Sequence, residues 1–337
     1  MRILYVPGDF GGCGYFRLTQ WAQHFMLEPR LGIEPCYAGV NNLVYMDQDV
    51  TVVQRVCGEN SLKALIEFRE KHPSKVVIDF DDLLWNDKGT LNDYNIALKG
   101  ENLQKNHAML KKYLPDAADL ITVSTEALAR ELELFVPPER IKVIPNYLSM
   151  REWLYDKTTM IPNDDIFLYA GSSSHYDNAE KKLGDFSIPL SKLLERKPTI
   201  FIGNNPPWFF VNCKLSVPWA GLSRYSKVLY DAARNAKFTI APLAESRFNR
   251  CKSDLKYLES CAVGRVCLVG DFEGSPYGGA HPMQKLPQNA SIGEIEAIVE
   301  NCKEHYGEIL EYQYEYLNNR WLDLNVSNYV ETMANVI

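Results

Sequence analysis

The sequence lacks any apolar run of the roughly 18 residues that a membrane helix requires. Its opening, MRILYVPGDFGG, has neither the basic n-region nor the long apolar h-region of a secretory signal and reads as a strand followed by a turn. Eight cysteines are scattered, with no C-x-x-C pair and no partner histidine at metal spacing. Neither a zinc site nor a disulfide framework is expected, and free thiols suit a reducing, cytoplasmic location. An excess of positive charge is also missing: 36 Lys and Arg stand against 43 Asp and Glu, for a formal net charge of −7. The whole chain therefore does not attract a polyanion, and a nucleic-acid contact would need a local basic face.

What is present is length and alternation. The 337 residues, 46% of them hydrophobic, suffice for two domains of about 150 residues each. Strand-like runs RILYV (2–6), KVVIDF (75–80), LITVS (120–124) and IKVIP (141–145) alternate with helical patterns at 15–26, 61–70, 101–114 and 125–134. Runs such as KVVIDF and LITVS are apolar on both faces, which predicts a parallel sheet covered by helices on both sides. The polar stretch 149–164 reads as a linker. Alternation then restarts with DIFLYAG (165–171), PTIFIGN (198–204), AKFTIAPL (236–243) and GRVCLVGD (264–271), with helices between them. Long helical segments at 292–317 and 326–336 close the chain. The pattern predicts two doubly wound α/β halves in tandem, with ligands at the carboxyl ends of their strands and a cleft between them.

Several turns at those strand ends carry residues suited to chemistry. The first, from Gly8 to Arg17, holds Gly12 and Gly14, where backbone can approach a ligand. A dinucleotide fingerprint would need glycine at position 17, which is Arg, and this argues against an NAD site. Asp79, Asp81 and Asp82 end KVVIDFDD, where acids can bind hydroxyls, a proton or a metal; helix capping by Asp81 or Asp82 is the other reading. Thr125, after LITVS, reads as a helix cap. Gly171, Ser172, Ser173, Ser174 and His175 form a small-residue turn able to donate to phosphate. His175 can meet a diphosphate or a leaving group, or be an ordinary surface histidine.

The stretch FNRCKSDLKYLESCAVG (248–264) is the most pointed. Ser253 is placed to cap a helix whose inward stripe is Leu255, Leu258 and Ala262. Its N-terminus would present amide groups beside Asn249, Arg250, Lys252 and Lys256, which describes an anion site. Glu259 lies deeper, three residues past Lys256, where it can pair with that lysine or accept from hydroxyls.

The order of strand, APL, FNR-x-KSDLKYLE and apolar strand resembles the donor site of glycosyltransferases with the two-domain GT-B fold, the large retaining group in particular. IPN (144–146) before the linker and AGSSSH (170–175) fit the same pattern. The resemblance implies two tandem Rossmann-like domains with a cleft between them: an acceptor domain 1–148, a linker 149–164, a nucleotide-sugar domain 165–317, and a C-terminal helix 318–337 crossing back onto the first domain. It implies transfer from a nucleotide-diphospho-sugar, a UDP-sugar, to an acceptor hydroxyl. No further cofactor and no metal are implied, although Asp79 and Asp81 form a D-x-D in the acceptor half. Gly12, Gly14, Ser173, Ser174, Arg250, Lys252, Ser253 and Glu259 are then donor-binding residues, and Asp81, Asp82 and His175 catalytic ones. Glu259 matches the second position of the family's Glu-x7-Glu, which binds the ribose; the first position is Cys251.

The chain also looks similar to phage enzymes that glycosylate hydroxymethylated bases in DNA, which would put it in the cytoplasm of a host cell. The DNA acceptor would draw on Lys99, Lys105, His107, Lys111 and Lys112 for phosphates, and on Phe10, Tyr15, Phe16 and Trp85 for stacking on a flipped base. Beside this stand a saccharide, lipid-linked glycan or protein acceptor, and a non-catalytic module that binds a nucleotide sugar.

Overall fold

A computed structural model of the chain describes residues 1–37, 47–92, 94, 100–153, 161–177, 181–203, 213–218 and 221–337, with Ser173, Leu222 and Ser223 described by their backbone alone. Lys99, part of the linker and Asn204 lie outside the described residues.

The first half builds a six-stranded sheet from β1 (Arg2–Val6), β2 (Glu34–Tyr37), β3 (Val50–Gln54), β4 (Lys75–Phe80), β5 (Leu120–Val123) and β6 (Ile141–Val143). The strand order is β2-β1-β3-β4-β5-β6 and every pairing is parallel. β3, β4 and β5 are rich in Val and Ile and buried almost throughout, as strands covered on both faces must be. The second half repeats the plan with β7 (Phe167–Gly171), β8 (Thr199–Gly203), β9 (Cys213–Val217), β10 (Phe238–Ala241), β11 (Val266–Asp271) and β12 (Lys285–Pro287). Its order is β12-β11-β10-β7-β8-β9, again parallel. In each sheet the direction of winding reverses once, between β1 and β3 and between β7 and β10. Loops leaving a sheet on either side of such a reversal diverge and open a crevice at the carboxyl ends of the strands.

The expected helices form, with adjusted ends. The predicted 292–317 segment is two helices, Ile292–Glu304 and Tyr306–Asn318, parted at His305. Thr125 caps Glu126–Leu132 as its position predicts, accepting from the Leu128 amide at 3.2 Å. The predicted helix after the first turn begins irregularly: a wide π-turn spans Tyr15–Thr19 before the regular helix Gln20–Leu27. Residues Leu148 and Arg320–Leu322 exchange backbone hydrogen bonds, where the chain returns from the second half. The last helix, Val326–Ala334, then seats Val326, Tyr329 and Met333 in the first half's core with Trp21 and Phe25. Traffic runs the other way too, since Phe248 and Cys251 of the second half are buried in the core that holds Phe80, Trp85, Leu128 and Leu132.

Candidate functional site

The two sets of strand ends face each other across a cavity of about 280 Å³. Gly12, Cys13, Phe16, Arg17, Asp81, Asp82 and Asn146 line it from the first half. Gly171, Ser172, His175, Tyr225, Lys252, Ser253, Leu255, Lys256, Glu259 and Tyr277 line it from the second.

The glycine turn after β1 differs in use from its expectation. Asp9 Oδ1 accepts from the amides of Gly11 (2.7 Å) and Gly14 (3.2 Å), so those amides serve the turn's own carboxylate. Gly14 is outside the cavity lining and is required by packing, because a Cβ there would stand 1.9 Å from the Asp9 carbonyl oxygen. Arg17, which breaks the dinucleotide fingerprint, is buried. Its guanidinium holds Asp79 through Nε (3.0 Å) and Nη2 (2.7 Å) and donates to Asn146 Oδ1 at 3.1 Å. Thr122 Oγ1 donates to the same aspartate at 2.7 Å. Asp79 is thereby committed to the fold, and the D-x-D offers no unpaired carboxylate pair.

Asp81 and Asp82 do reach the cavity, but through a residue the sequence reading missed. Arg55 follows β3 with φ +60°, a left-handed conformation that costs a non-glycine residue about 1–3 kcal/mol. Its Nε and Nη2 grip Asp81 at 2.6 and 2.9 Å, Nη2 meets Asp82 at 2.6 Å, and Nη1 meets Asp9 at 3.3 Å. Burial, and then the charge of Asp82, push the Asp81 carboxyl above its ordinary range, against the pull of Arg55. Asp82 is the more accessible of the two, and its Oδ1 lies 3.9 Å from Lys252 Nζ across the cleft.

On the opposite wall the small-residue turn after β7 becomes the 3-10 turn Ser173–His175. Ser172 lines the cavity; Ser174 does not, and its hydroxyl is 2.6 Å from that of Ser172, while the Ser173 side chain lies outside what is described. His175 is buried rather than a surface histidine. Its Nδ1 is 2.7 Å from Asp185 Oδ2. Burial and then the nearby Lys256 lower its pKa to about 4. Burial opposes ionisation of Asp185, but the hydrogen bonds from His175, Tyr94 and the Ala244 amide together outweigh it and hold the carboxyl low. The imidazole is thus neutral near pH 7 with its hydrogen on Nδ1, and Nε2 carries a lone pair. A lone pair repels phosphate oxygen and accepts from a hydroxyl. The same aspartate binds Tyr94 OH (2.5 Å), Asn249 Nδ2 (2.7 Å) and the Ala244 amide (3.1 Å).

The 248–264 stretch folds into a short turn of helix, Arg247–Arg250, and the helix Leu255–Ala262. Ser253 does not cap the latter, contrary to expectation. Asp254 is the capping residue and gives no side-chain cap, since its carboxylate is taken by Arg320 (2.7 and 2.8 Å) and Tyr316 (2.5 Å). Ser253 Oγ instead accepts from Asn146 Nδ2 at 2.8 Å, joining the two halves. The uncapped helix end, Lys252 and Lys256 face the cavity together. Lys252 also lies 4.6 Å above the Phe248 ring. Lys256, half-buried, donates to the Ala170 carbonyl at 2.5 Å, and burial lowers its pKa. Glu259 lies deeper on the same helix, accepting from Tyr225 OH at 2.9 Å, and burial raises its pKa to about 7. Arg250, expected beside the diphosphate, is outside the lining. It leaves from the short helix's far side and binds Glu245 and, at 3.2 Å, the Glu273 carbonyl. Cys251 is buried in the first half's core, so no carboxylate could face the cavity from that position without desolvation.

The expected nucleic-acid face is thin. Lys105 pairs with Glu101 at 3.4 Å, His107 packs edge-on against Phe135, Lys112 lies 4.7 Å above the Tyr113 ring, and Lys111 is exposed on the same helix. Of the four aromatic residues expected to stack, Tyr15, Phe16 and Trp85 are buried, Trp85 completely. Phe10 is 93% exposed on the tip of the glycine turn. A larger cavity, about 540 Å³, runs along the edge strand β6 beneath the last helix, whose N-cap residue Asn325 is in its lining.

No protein-family model matches the chain, and no curated protein matches it. Solved structures do. HepE of Anabaena in complex with UDP-glucose is similar at TM-score 0.66 and 10% identity, over 100% of both chains. A glycosyltransferase of Rickettsia africae is similar at TM-score 0.66 and 13% identity, over 99% of this chain and 98% of that one. The DNA-modifying enzyme β-glucosyltransferase, studied with and without UDP-glucose, is similar at TM-score 0.57 and 13% identity, over 100% and 99%. The chain has the GT-B fold, two Rossmann-like halves around a cleft, in company with these glycosyltransferases.

Proposed function

We propose that the protein transfers a sugar from a UDP-sugar to an acceptor hydroxyl. One observation carries this reading: Lys252 and the uncapped end of Leu255–Ala262 line the cavity at the winding reversal of the second sheet, with Glu259 deeper on the same helix. The helix end and Lys252 take the diphosphate and stabilise its charge as it leaves. Glu259 accepts from the ribose hydroxyls. His175, with its lone pair on Nε2, accepts from a hydroxyl of the transferred sugar. Asp82, held by Arg55, faces the acceptor. HepE, of like fold, binds UDP-glucose, which supports the choice of donor.

The acceptor we put forward is a hydroxymethylcytosine in DNA. Its supports are the likeness to a DNA-modifying glucosyltransferase and the outward-facing Phe10, an aromatic platform beside the acceptor wall. A saccharide acceptor is the second reading, favoured by the carboxylates Asp9, Asp81 and Asp82 at that wall and by the sparse basic face. We further propose retention of anomeric configuration. Each carboxylate lining the cavity has a partner, Asp81 and Asp82 on Arg55 and Glu259 on Tyr225. A double displacement would need an uncommitted nucleophile, whereas front-face attack assisted by the departing phosphate does not.

The test is a transfer assay with a panel of UDP-sugars against hydroxymethylcytosine DNA and against oligosaccharides, with the product anomer read by NMR. Transfer to DNA that weakens steeply with salt favours the first acceptor. Transfer to oligosaccharide alone replaces it with the second, and absence of UDP-sugar binding removes the proposal altogether.

A further inference from the structure

The acceptor wall contains a cation that is part of the chain. The Sγ of Cys13 and carboxylate oxygens of Asp81 and Asp82 lie within 4.8 Å of one another, a spacing suited to one metal ion. At their common centre stands Arg55 Nη2, 2.9 Å from Cys13 Sγ, 2.9 Å from Asp81 Oδ2 and 2.6 Å from Asp82 Oδ2. Two further nitrogens of the same group reach Asp81 Oδ1 and Asp9 Oδ2. The backbone delivers it there: β3 ends at Gln54, Arg55 turns left-handed, and its amide donates to the Asp79 carbonyl at 2.9 Å.

We propose that Arg55 is a positioning residue that takes the place of a divalent metal ion on the acceptor wall, holding Cys13, Asp81 and Asp82 together and turning Asp82 towards Lys252. A guanidinium suits this task because one planar group offers several donors in a fixed fork, where a lysine offers a single point. A tethered cation also avoids a difficulty that a free one would meet: the departing diphosphate binds divalent ions and would compete for it. Burial raises the Asp81 carboxyl, so loss of Arg55 would leave two neighbouring carboxylates repelling each other. The inference rests on the glycosyl-transfer reading only where turnover is measured; its metal-binding part stands on geometry alone.

The decisive experiment titrates Co2+ into the wild-type protein, Arg55→Ala, and Arg55→Ala combined with Cys13→Ser. The observable is the sulfur-to-cobalt charge-transfer absorption, which reports thiolate ligation. The expected result is no such band in wild type, a band at one equivalent in Arg55→Ala as the Cys13 thiol gives up its proton, and its loss in the double variant. A wild-type band that disappears on Cys13→Ser, or a folded Arg55→Ala without a band, overturns the proposal. Arg55→Lys covers the case in which the alanine variant does not fold. It should exclude Co2+ while moving the acid limb of the pH–rate profile upward by about one pH unit; an unmoved limb at wild-type turnover also overturns the proposal. If the cobalt results hold but no UDP-sugar is turned over, the internal-cation role stands and the functional reading fails.

Discussion

At the scale of single residues, the site separates cations that face the cavity from those that do not. Lys252→Ala should weaken UDP-sugar binding by about 1.5–3 kcal/mol, the range of a charge-assisted hydrogen bond. Arg250→Ala should leave it unchanged in calorimetry, because that guanidinium belongs to Glu245 and the Glu273 carbonyl. Glu259 adds a pH dependence. Its folded pKa of about 7 lies above the ordinary carboxylate value, so the native state holds an extra proton between the two. Stability from this group is therefore greatest at low pH and is lost as pH rises through about 7. Donor binding runs the opposite way, since ribose hydroxyls need the ionised carboxylate. UDP-sugar affinity should rise between about pH 6 and 8, and Glu259→Gln should flatten the profile.

At the scale of elements, the last helix is held to the first half by aromatic contact. Trp21 and Tyr329 stack with ring centres 4.1 Å apart, and Tyr147 meets Trp21 edge-on. Trp21→Ala should cost about 3–5 kcal/mol in urea unfolding, as for other buried aromatics cut to alanine. This return of the chain was legible in the sequence, and so were the two alternating halves and the helix carrying Lys256 and Glu259. Each shows as a local period or a strand bounded by turns. Ser253 was misread because its spacing from the helix fits a cap, while a neighbour 107 positions away, Asn146, claims its hydroxyl. Arg55 and Asp185 were missed for the same reason. Arg55 follows a short buried strand unmarked by any motif, and Asp185 reaches His175 only after the chain folds back through Gly184 at φ +61°. Pairings made by tertiary folding leave no period to read.

At the scale of the molecule, the two halves share more than a cleft. Arg247 is paired with Glu131, Thr125 Oγ1 donates to the Cys251 carbonyl at 3.0 Å, and Tyr94 binds Asp185 and Asn249. A protein joined in this way should unfold in one calorimetric transition whose measured enthalpy equals its van't Hoff enthalpy. Two separated transitions would contradict that expectation. Phe248 and Cys251, sitting inside the first half's interior, bear on how the protein is made. Synthesis runs from the N-terminus, so the leading sheet emerges from the ribosome with a hollow that only residues translated some hundred positions later can fill. Until then that half is a partner waiting for its own tail, and a gene cut between the halves would yield a fragment with an oily, open seam.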